Sequence, residues 1–174
     1  MASCYGLRRS EVCGLRWSDI DAQSTTLHIR QGRVTVIGGG SVVDEPKSQR
    51  SRRSLPMPTD LAEALYTLKA TQKQEAFALG IPWSDDRLVA VREDGELVRP
   101  GWYSKEFHRL RQRAGLRRIK LHALRNTSVS LMLDQGQPVH VVAAWHGHDP
   151  AVTLSIYADA KADELRAAGA KLFS

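Results

Sequence analysis

The amino-acid sequence predicts a mainly helical α+β domain with one small antiparallel sheet. Two observations support this fold class. Apolar residues recur at helical spacing through most of the chain. Residues 25–43 are instead rich in Thr, Val and Ile and are interrupted by glycines, which is typical of strands joined by hairpin turns. With 174 residues, 42% of them apolar, the chain can form one domain with a sizeable core.

The first half of the chain is expected to place two helices around this sheet. The first helix is predicted over about residues 2–17. The strand pattern of residues 25–43 continues through a basic hairpin tip into a short strand from Ser54 to Met57. Thr59 is then expected to cap a helix that runs to about Leu79.

The second half is expected to be helical after an irregular stretch over residues 85–99. Glycine and proline residues divide it into separate helices, and Asp149 is the expected cap of the helix that Pro150 begins. The predicted helices cover about residues 100–114, 122–134, 138–146, 150–157 and 161–172.

Positive charge is concentrated in two segments. The chain carries 25 Lys and Arg against 19 Asp and Glu, which gives a net charge of +6. From Lys47 to Arg53 there are four basic residues and no acid, and from Lys105 to Arg125 there are eight against the single acid Glu106. Such clusters favour a polyanionic partner, because neutralised phosphates release counterions. Charge alone does not identify that partner.

The sequence favours a cytoplasmic protein that does not enter a membrane. It contains neither an apolar run long enough to cross a bilayer nor a charged and then apolar leader. Cys4 and Cys13 lie nine residues apart in the first predicted helix, at a separation that a disulfide cannot bridge. We therefore expect both thiols to be reduced.

Six residues form the candidate catalytic site: Arg8, Lys47, His122, Arg125, His148 and Tyr157. Guanidinium, ammonium, imidazole and phenol groups make a poor set of metal ligands but can surround a phosphate under attack. His122 and Arg125 are three residues apart and project from one helix face. His148 precedes a helix start, where backbone N–H groups favour an anion.

Taken singly, these residues have ordinary structural explanations. His122 with Arg125 would be a solvated pair, and Tyr157 would be a half-buried core phenol. Lys47 and Arg8 would be ordinary surface charges. Their order and spacing carry the functional hypothesis. Arg125 and His148 are 23 residues apart, and Tyr157 follows nine residues after His148.

Four stretches of sequence resemble the catalytic domain of tyrosine recombinases of the phage-integrase type. They are GLRRSEV (6–12), PKSQRSRRSLPMP (46–58), HALRNT (122–127) and HGHDPAVTLSIY (146–157). The resemblance covers nearly the whole chain. It implies site-specific recombination, in which DNA strands are cleaved and rejoined through a 3′-phosphotyrosine intermediate for integration or excision of mobile DNA, with no cofactor and no metal.

The resemblance also implies a role for each candidate residue. Arg8 and Arg125 would hold the non-bridging phosphate oxygens, and His148 would donate a hydrogen bond to them. Tyr157 would attack the phosphorus and His122 would take its proton. Lys47, on the hairpin tip, would protonate the leaving 5′ oxygen. Glu11 matches the acidic residue of the first arginine motif.

The sequence departs from the family pattern at several positions. His146 stands where the family usually has leucine, Asn126 where it often has histidine, and Asp159 where it tends to have histidine. None of these changes removes a proposed catalytic group. The family also carries core-binding and arm-binding domains before the catalytic domain, so residues 1–174 are expected to be an N-terminally truncated catalytic domain.

Double-stranded DNA is the partner that the resemblance implies. The full-length protein would form a tetramer on DNA with the help of a DNA-bending accessory protein, and the isolated domain would be monomeric. The terminal apolar residues Leu165, Leu172 and Phe173 would pack on their own domain or on a neighbouring subunit. The expected DNA contacts are Arg50, Arg52, Arg53, Lys105, Arg109, Arg117, Arg118 and Lys120.

Three other functions fit parts of the sequence. A type IB topoisomerase or a resolvase would use the same chemistry, and a catalytically silent DNA-binding regulator would share the fold. A zinc hydrolase would need His140, His146 and His148 as ligands. Their spacing matches no familiar zinc motif, and the neighbouring cations would oppose a metal.

Overall fold

In the computed structural model, residues 5–36, 40–44 and 49–157 are described, Gln49 and Tyr157 by their backbone alone. The helices are α1 (Arg9–Gly14), α2 (Thr59–Ala78), α3 (Pro100–Arg113), α4 (Leu121–Asp134), α5 (Val139–His146) and α6 (Pro150–Tyr157). The strands are β1 (Ile20–Asp21), β2 (Thr26–Ile29), β3 (Gly32–Thr35), β4 (Ser41–Asp44) and β5 (Arg53–Pro56). The α+β fold class predicted from the sequence is thus observed.

The strands form two small antiparallel sheets where the sequence predicted one. Strands β1, β2 and β5 form a three-stranded sheet in that spatial order, in which Leu27 pairs with Leu55. Strands β3 and β4 form a separate hairpin. The chain leaves the first sheet at Gln31, whose side-chain amide donates to the carbonyl oxygen of Gly14 at 2.8 Å. That bond holds the residue before the hairpin against the last residue of α1.

The main core lies between the three-stranded sheet, the segments flanking α1, and α2. Its buried residues are Tyr5, Leu7, Leu15, Trp17, Leu27, Ile29, Leu55, Met57, Leu65 and Val89. A buried polar link crosses this core. The indole N–H of Trp17 donates to the Gln72 side-chain oxygen at 3.0 Å, and the Gln72 amide donates to the Val89 carbonyl oxygen at 3.0 Å. The link pins α2 to the irregular segment before α3.

The first helix is shorter than the prediction of about residues 2–17. Gly6 adopts a left-handed conformation with φ of +58°, and Arg8 is extended, so helical backbone begins at Arg9. Residues on both sides of α1 still reach the core, because Leu7 and Leu15 are buried just outside the helix. Cys13 is a buried free thiol, whereas Cys4 lies outside the described residues.

The other predicted helices agree with the structure to within one or two residues. Pro58, not Thr59, precedes the first residue of α2 as its cap. The expected cap of α6 is present, because the Asp149 carboxylate accepts the N–H of Ala151 at 3.0 Å. The predicted helix 161–172 lies outside the described residues. Within the described ranges, no helix combines the length and apolar character needed to cross a membrane.

Candidate active site at the corner between α4 and α5

Segments far apart in the chain meet at the corner between α4 and α5. Arg125, on the second turn of α4, is buried, and its Nη1 donates to the carbonyl oxygen of Gly6 at 2.6 Å. Its Nη2 donates to the carbonyl oxygen of His146, at the end of α5. Arg8 reaches the same corner, where its Nη2 donates to the carbonyl oxygen of Gly147 at 3.2 Å. Backbone acceptors therefore bring the two predicted arginines together.

The Glu11 carboxylate is the buried anchor of this corner. It accepts the backbone N–H of Arg8 at 2.7 Å and the side chain of Arg8 at 2.8 Å. Arg53 donates to both of its oxygens, at 2.9 and 3.1 Å, and its Nε donates to the Trp145 carbonyl oxygen at 2.6 Å. Burial favours a higher pKa for the Glu11 carboxyl, but Arg53 and Arg8 outweigh this effect and lower its pKa.

The corner carries more positive than negative charge. Burial, together with the neighbouring Arg8 and Arg53 and against the attraction of Glu11, lowers the pKa of Arg125 to about 9. Three guanidinium groups thus surround one carboxylate in the described part of the site. An anion bound here would offset their mutual repulsion, so the arrangement suits a phosphate.

His148 lies at this corner, and one of its ring nitrogens has no hydrogen-bond partner among the described residues. Its Nδ1 lies 3.2 Å from the Asp149 carbonyl oxygen and 3.2 Å from the Thr153 hydroxyl. Its Nε2 is shielded from solvent and has no hydrogen-bond partner among the described residues. Burial and the nearby Arg125 and Arg8 lower the pKa of His148, so the ring is neutral at neutral pH. One imidazole nitrogen at the corner is therefore not committed to a hydrogen bond within the described residues.

His146 is fully buried, and its ring is part of the packed interior. Its Nδ1 donates to the Val142 carbonyl oxygen at 2.9 Å, and its Nε2 accepts from the Ser128 hydroxyl at 3.2 Å. Burial lowers its pKa to about 4. Both nitrogens are occupied, so His146 cannot serve as the zinc ligand considered above. No group of His, Cys, Asp and Glu side chains suited to a metal ion occurs in the described part of the chain.

An open cleft of about 530 Å³ lies next to Arg8, between α1, the β3–β4 hairpin, α3 and α4. Its polar lining combines cationic and imidazole groups, supplied by Arg8, Arg9, Arg33, His108, Lys120 and His122. Arg33 was not predicted. It is 6% exposed, its Nη2 donates to the Ser41 hydroxyl at 2.5 Å, and its Nη1 has no partner among the described residues. A strand residue of this kind becomes visible only when the register of the hairpin is known.

A sequence profile of the phage integrase family matches residues 1–164. The chain belongs to the phage integrase family. Over 164 residues it is 28% identical to the tyrosine recombinase XerC-like protein of Caldanaerobacter subterraneus subsp. tengcongensis, covering 87% of this chain and 42% of that protein. It is 27% identical over 158 residues to the ICEBs1 integrase of Bacillus subtilis (strain 168), covering 90% of this chain and 42% of that protein. The chain thus spans less than half the length of these relatives.

A solved structure supports the same assignment. The Tn1549 transposon integrase, in complex with circular intermediate DNA, superposes with a TM-score of 0.80 at 25% identity. The superposition covers 98% of this chain and 57% of that one. The resemblance to tyrosine recombinases that the sequence motifs indicated is therefore confirmed.

The structure brings together three of the six residues expected from the family motifs and places a fourth nearby. Arg8, Arg125 and His148 meet at the α4–α5 corner, and His122 lies exposed on the first turn of α4, in the cleft. Lys47 lies outside the described residues. Tyr157 is the last residue of α6, and its side chain is not described.

The expected DNA contacts are mostly on the surface, with one correction. Arg53, expected on the surface, is buried against Glu11 and Trp145, because its guanidinium completes the interior of the site. Arg50 pairs with Asp149, and Arg109 pairs with Glu106. The other expected contacts are exposed, namely Arg52, Lys105, Arg117, Arg118 and Lys120.

The contact between Gly6 and His146 gives a first prediction. A Cβ on Gly6 would lie 2.6 Å from Nε2 of His146, whereas a Cβ on Gly115, which has a similar φ of +63°, would meet nothing within 4 Å. Gly115→Ala should therefore cost only the left-handed backbone penalty of about 1 kcal/mol. Gly6→Ala should lower the free energy of unfolding in urea by about 1–3 kcal/mol more. Equal losses would show that the contact is not tight.

The buried His146 imidazole gives a second prediction. Its pKa of about 4 lies below the ordinary 6.5, so the unfolded chain binds the proton first as the pH falls. Its stabilising contribution is complete above pH 6.5 and is lost between pH 6.5 and 4. From pH 7 to pH 5 the unfolding free energy of the wild type should fall by about 2 kcal/mol more than that of His146→Leu. Parallel pH profiles would contradict this assignment.

Proposed function

We propose that this chain is the catalytic domain of a site-specific recombinase that cleaves and rejoins DNA through a 3′-phosphotyrosine intermediate. One observation carries the proposal. Arg8 and Arg125, separated by most of the chain, are held at one corner beside Nε2 of His148, which has no hydrogen-bond partner among the described residues. Donors fixed in this way need little rearrangement to stabilise charge that develops on a phosphate.

In the proposed mechanism, both arginines stabilise the scissile phosphate, and Arg8 contacts it directly. Arg8 is the more accessible of the two, because its side chain is 34% exposed and borders the cleft. Arg125 is buried and acts through its charge and its fixed guanidinium plane. His148 donates a hydrogen bond from Nε2 to a non-bridging oxygen. As negative charge grows on these oxygens, the fixed donors stabilise the transition state more than the ground state.

Tyr157 is the proposed nucleophile. It ends α6, an eight-residue helix that starts two residues after His148, so its backbone lies within roughly 12 Å of the start of that helix. Its phenolic oxygen forms a bond to phosphorus while the bond from phosphorus to the 5′ oxygen breaks. His122 accepts the phenolic proton, and Lys47 donates a proton to the leaving 5′ oxygen. The phosphotyrosyl bond then remains available to a 5′-hydroxyl from another strand.

Double-stranded DNA is the proposed substrate. The cationic cleft and the exposed arginines and lysines of α3 and of the segment before α4 would bind backbone phosphates. The integrase of Tn1549, which shares the fold, is solved in complex with DNA. We further propose that the whole protein is cytoplasmic, carries core-binding and arm-binding domains upstream of this chain, and forms a tetramer on DNA with a DNA-bending accessory protein.

The nucleophile is tested by Tyr157→Phe on a nicked duplex that carries a site selected from a random pool by binding to this chain. The wild type should form a covalent adduct that survives denaturing electrophoresis, because the nick lets the cleaved fragment diffuse away. Tyr157→Phe should form none and should bind the duplex as the wild type does, since binding relies on phosphate contacts. Tyr66→Phe, on the exposed face of α2, is the control. An adduct in Tyr157→Phe would refute the assignment. A wild type that binds but never forms one would indicate a silent regulator.

The general acid is tested by Lys47→Ala on two substrates. With the natural 5′ oxygen, cleavage should slow by roughly 10²–10⁴-fold, because the leaving alkoxide lacks its proton donor. With sulfur in place of that oxygen, the leaving group needs no proton and cleavage should return to the wild-type rate. Lys73→Ala on α2 should behave as the wild type on both substrates. Equal impairment of Lys47→Ala on both would assign the lysine a role other than proton donation.

A further inference from the structure

Thr153 differs from three other helical threonines in the hydrogen-bond partner of its hydroxyl. Thr67, Thr71 and Thr127 each donate to the carbonyl oxygen four residues earlier, at 2.9–3.1 Å. The Thr153 hydroxyl instead lies 3.2 Å from Nδ1 of His148. Thr153 is also fully buried, so water does not satisfy its hydroxyl. A buried hydroxyl proton needs an acceptor, and leaving it without one would cost about 1–3 kcal/mol.

Among the described residues, the other oxygen near Nδ1 is the Asp149 carbonyl oxygen, at 3.2 Å, and it already has partners. This carbonyl accepts the N–H of Val152 at 2.9 Å and that of Thr153 at 3.4 Å. Two N–H groups therefore already satisfy the Asp149 carbonyl oxygen, which does not require a further hydrogen bond from Nδ1. The Thr153 hydroxyl, in contrast, has the Nδ1 lone pair as its one recorded acceptor among the described residues. The arrangement therefore favours donation from Thr153 to Nδ1.

We infer that Thr153 is a positioning residue that sets the tautomer of His148. A neutral imidazole carries one proton, so an Nδ1 that accepts from Thr153 leaves the proton on Nε2. Nε2 is the nitrogen without a partner among the described residues. In this tautomer it donates to a phosphate oxygen, whereas in the other it would present a lone pair to an anion. The inference rests on the proposed function for the identity of that anion.

The same contact links two parts of the proposed site. Thr153 lies on α6, four residues before Tyr157, and His148 follows the corner that Arg125 and Arg8 hold. One hydrogen bond therefore connects the helix that carries the proposed nucleophile to the proposed phosphate donor. A shift of α6 relative to the corner would weaken the bond and release the tautomer preference.

Two matched pairs of chains test the inference by removing the hydroxyl at nearly constant size. Wild type is compared with Thr153→Val, and Thr153→Ser with Thr153→Ala, so that the second pair decides the outcome if valine disturbs folding. Thr127→Val, which removes an exposed helical hydroxyl, is the control. The tautomer is read from the ¹⁵N chemical shifts of His148 in the free 174-residue chain. Adduct formation is measured in single turnovers on the selected nicked duplex.

Chains that keep the hydroxyl should show the proton on Nε2, and chains that lack it should move the proton to Nδ1. Adduct formation should fall roughly tenfold without the hydroxyl, because the fraction of protein with the competent tautomer falls. Thr127→Val should match the wild type in both measurements. An unchanged His148 tautomer in both Thr153→Val and Thr153→Ala would overturn the inference. If the tautomer changes as expected in the variants but the wild type forms no adduct, the inference about Thr153 stands and the proposed function is refuted.

Discussion

The buried guanidinium of Arg125 is the interaction on which the rest of the site depends. Its two Nη atoms bond to carbonyl oxygens that lie 119 and 21 residues away in the chain, at Gly6 and His146. These acceptors partly offset the cost of removing a charged group from water. The same bonds fix where α1 begins relative to the end of α5. Arg8 and His148 are positioned by that corner, and their geometry follows from it.

Glu11 supplies the second constraint and explains why the site can hold several cations. Its carboxylate bonds to Arg8 and Arg53 and so offsets the repulsion between these two like charges. The compensation is incomplete, because Arg125 also lies in the cluster and its pKa is lowered. A phosphate would complete the balance of charge. The acidic residue of the arginine motif therefore has a structural role, which is to hold the cationic site in a folded state.

Local spacing in the sequence predicted most of the helices and singled out Arg8, Arg125 and His148, which the structure brings together. The sequence did not predict the features that depend on packing between distant segments. The first helix is shortened by the left-handed Gly6, whose conformation is set by contacts with α4 and α5. The sequence does not reveal that Arg53 turns inward from its basic run, nor that Arg33 is buried on strand β3 of the hairpin. The positions of Lys47 and of the Tyr157 phenol stay predictions.

His146 illustrates how a polar ring is accommodated in the interior of the site. Its imidazole brings two polar atoms into the interior, and Ser128 and Val142 satisfy them. The ring also stacks on His148, with ring centres 5.6 Å apart. The absence of a side chain at Gly6 leaves room for this ring. Protonation of His146 at low pH would place a new positive charge among the buried groups near Arg125, so the core itself, and not only the catalytic groups, sets a lower pH limit for an ordered site.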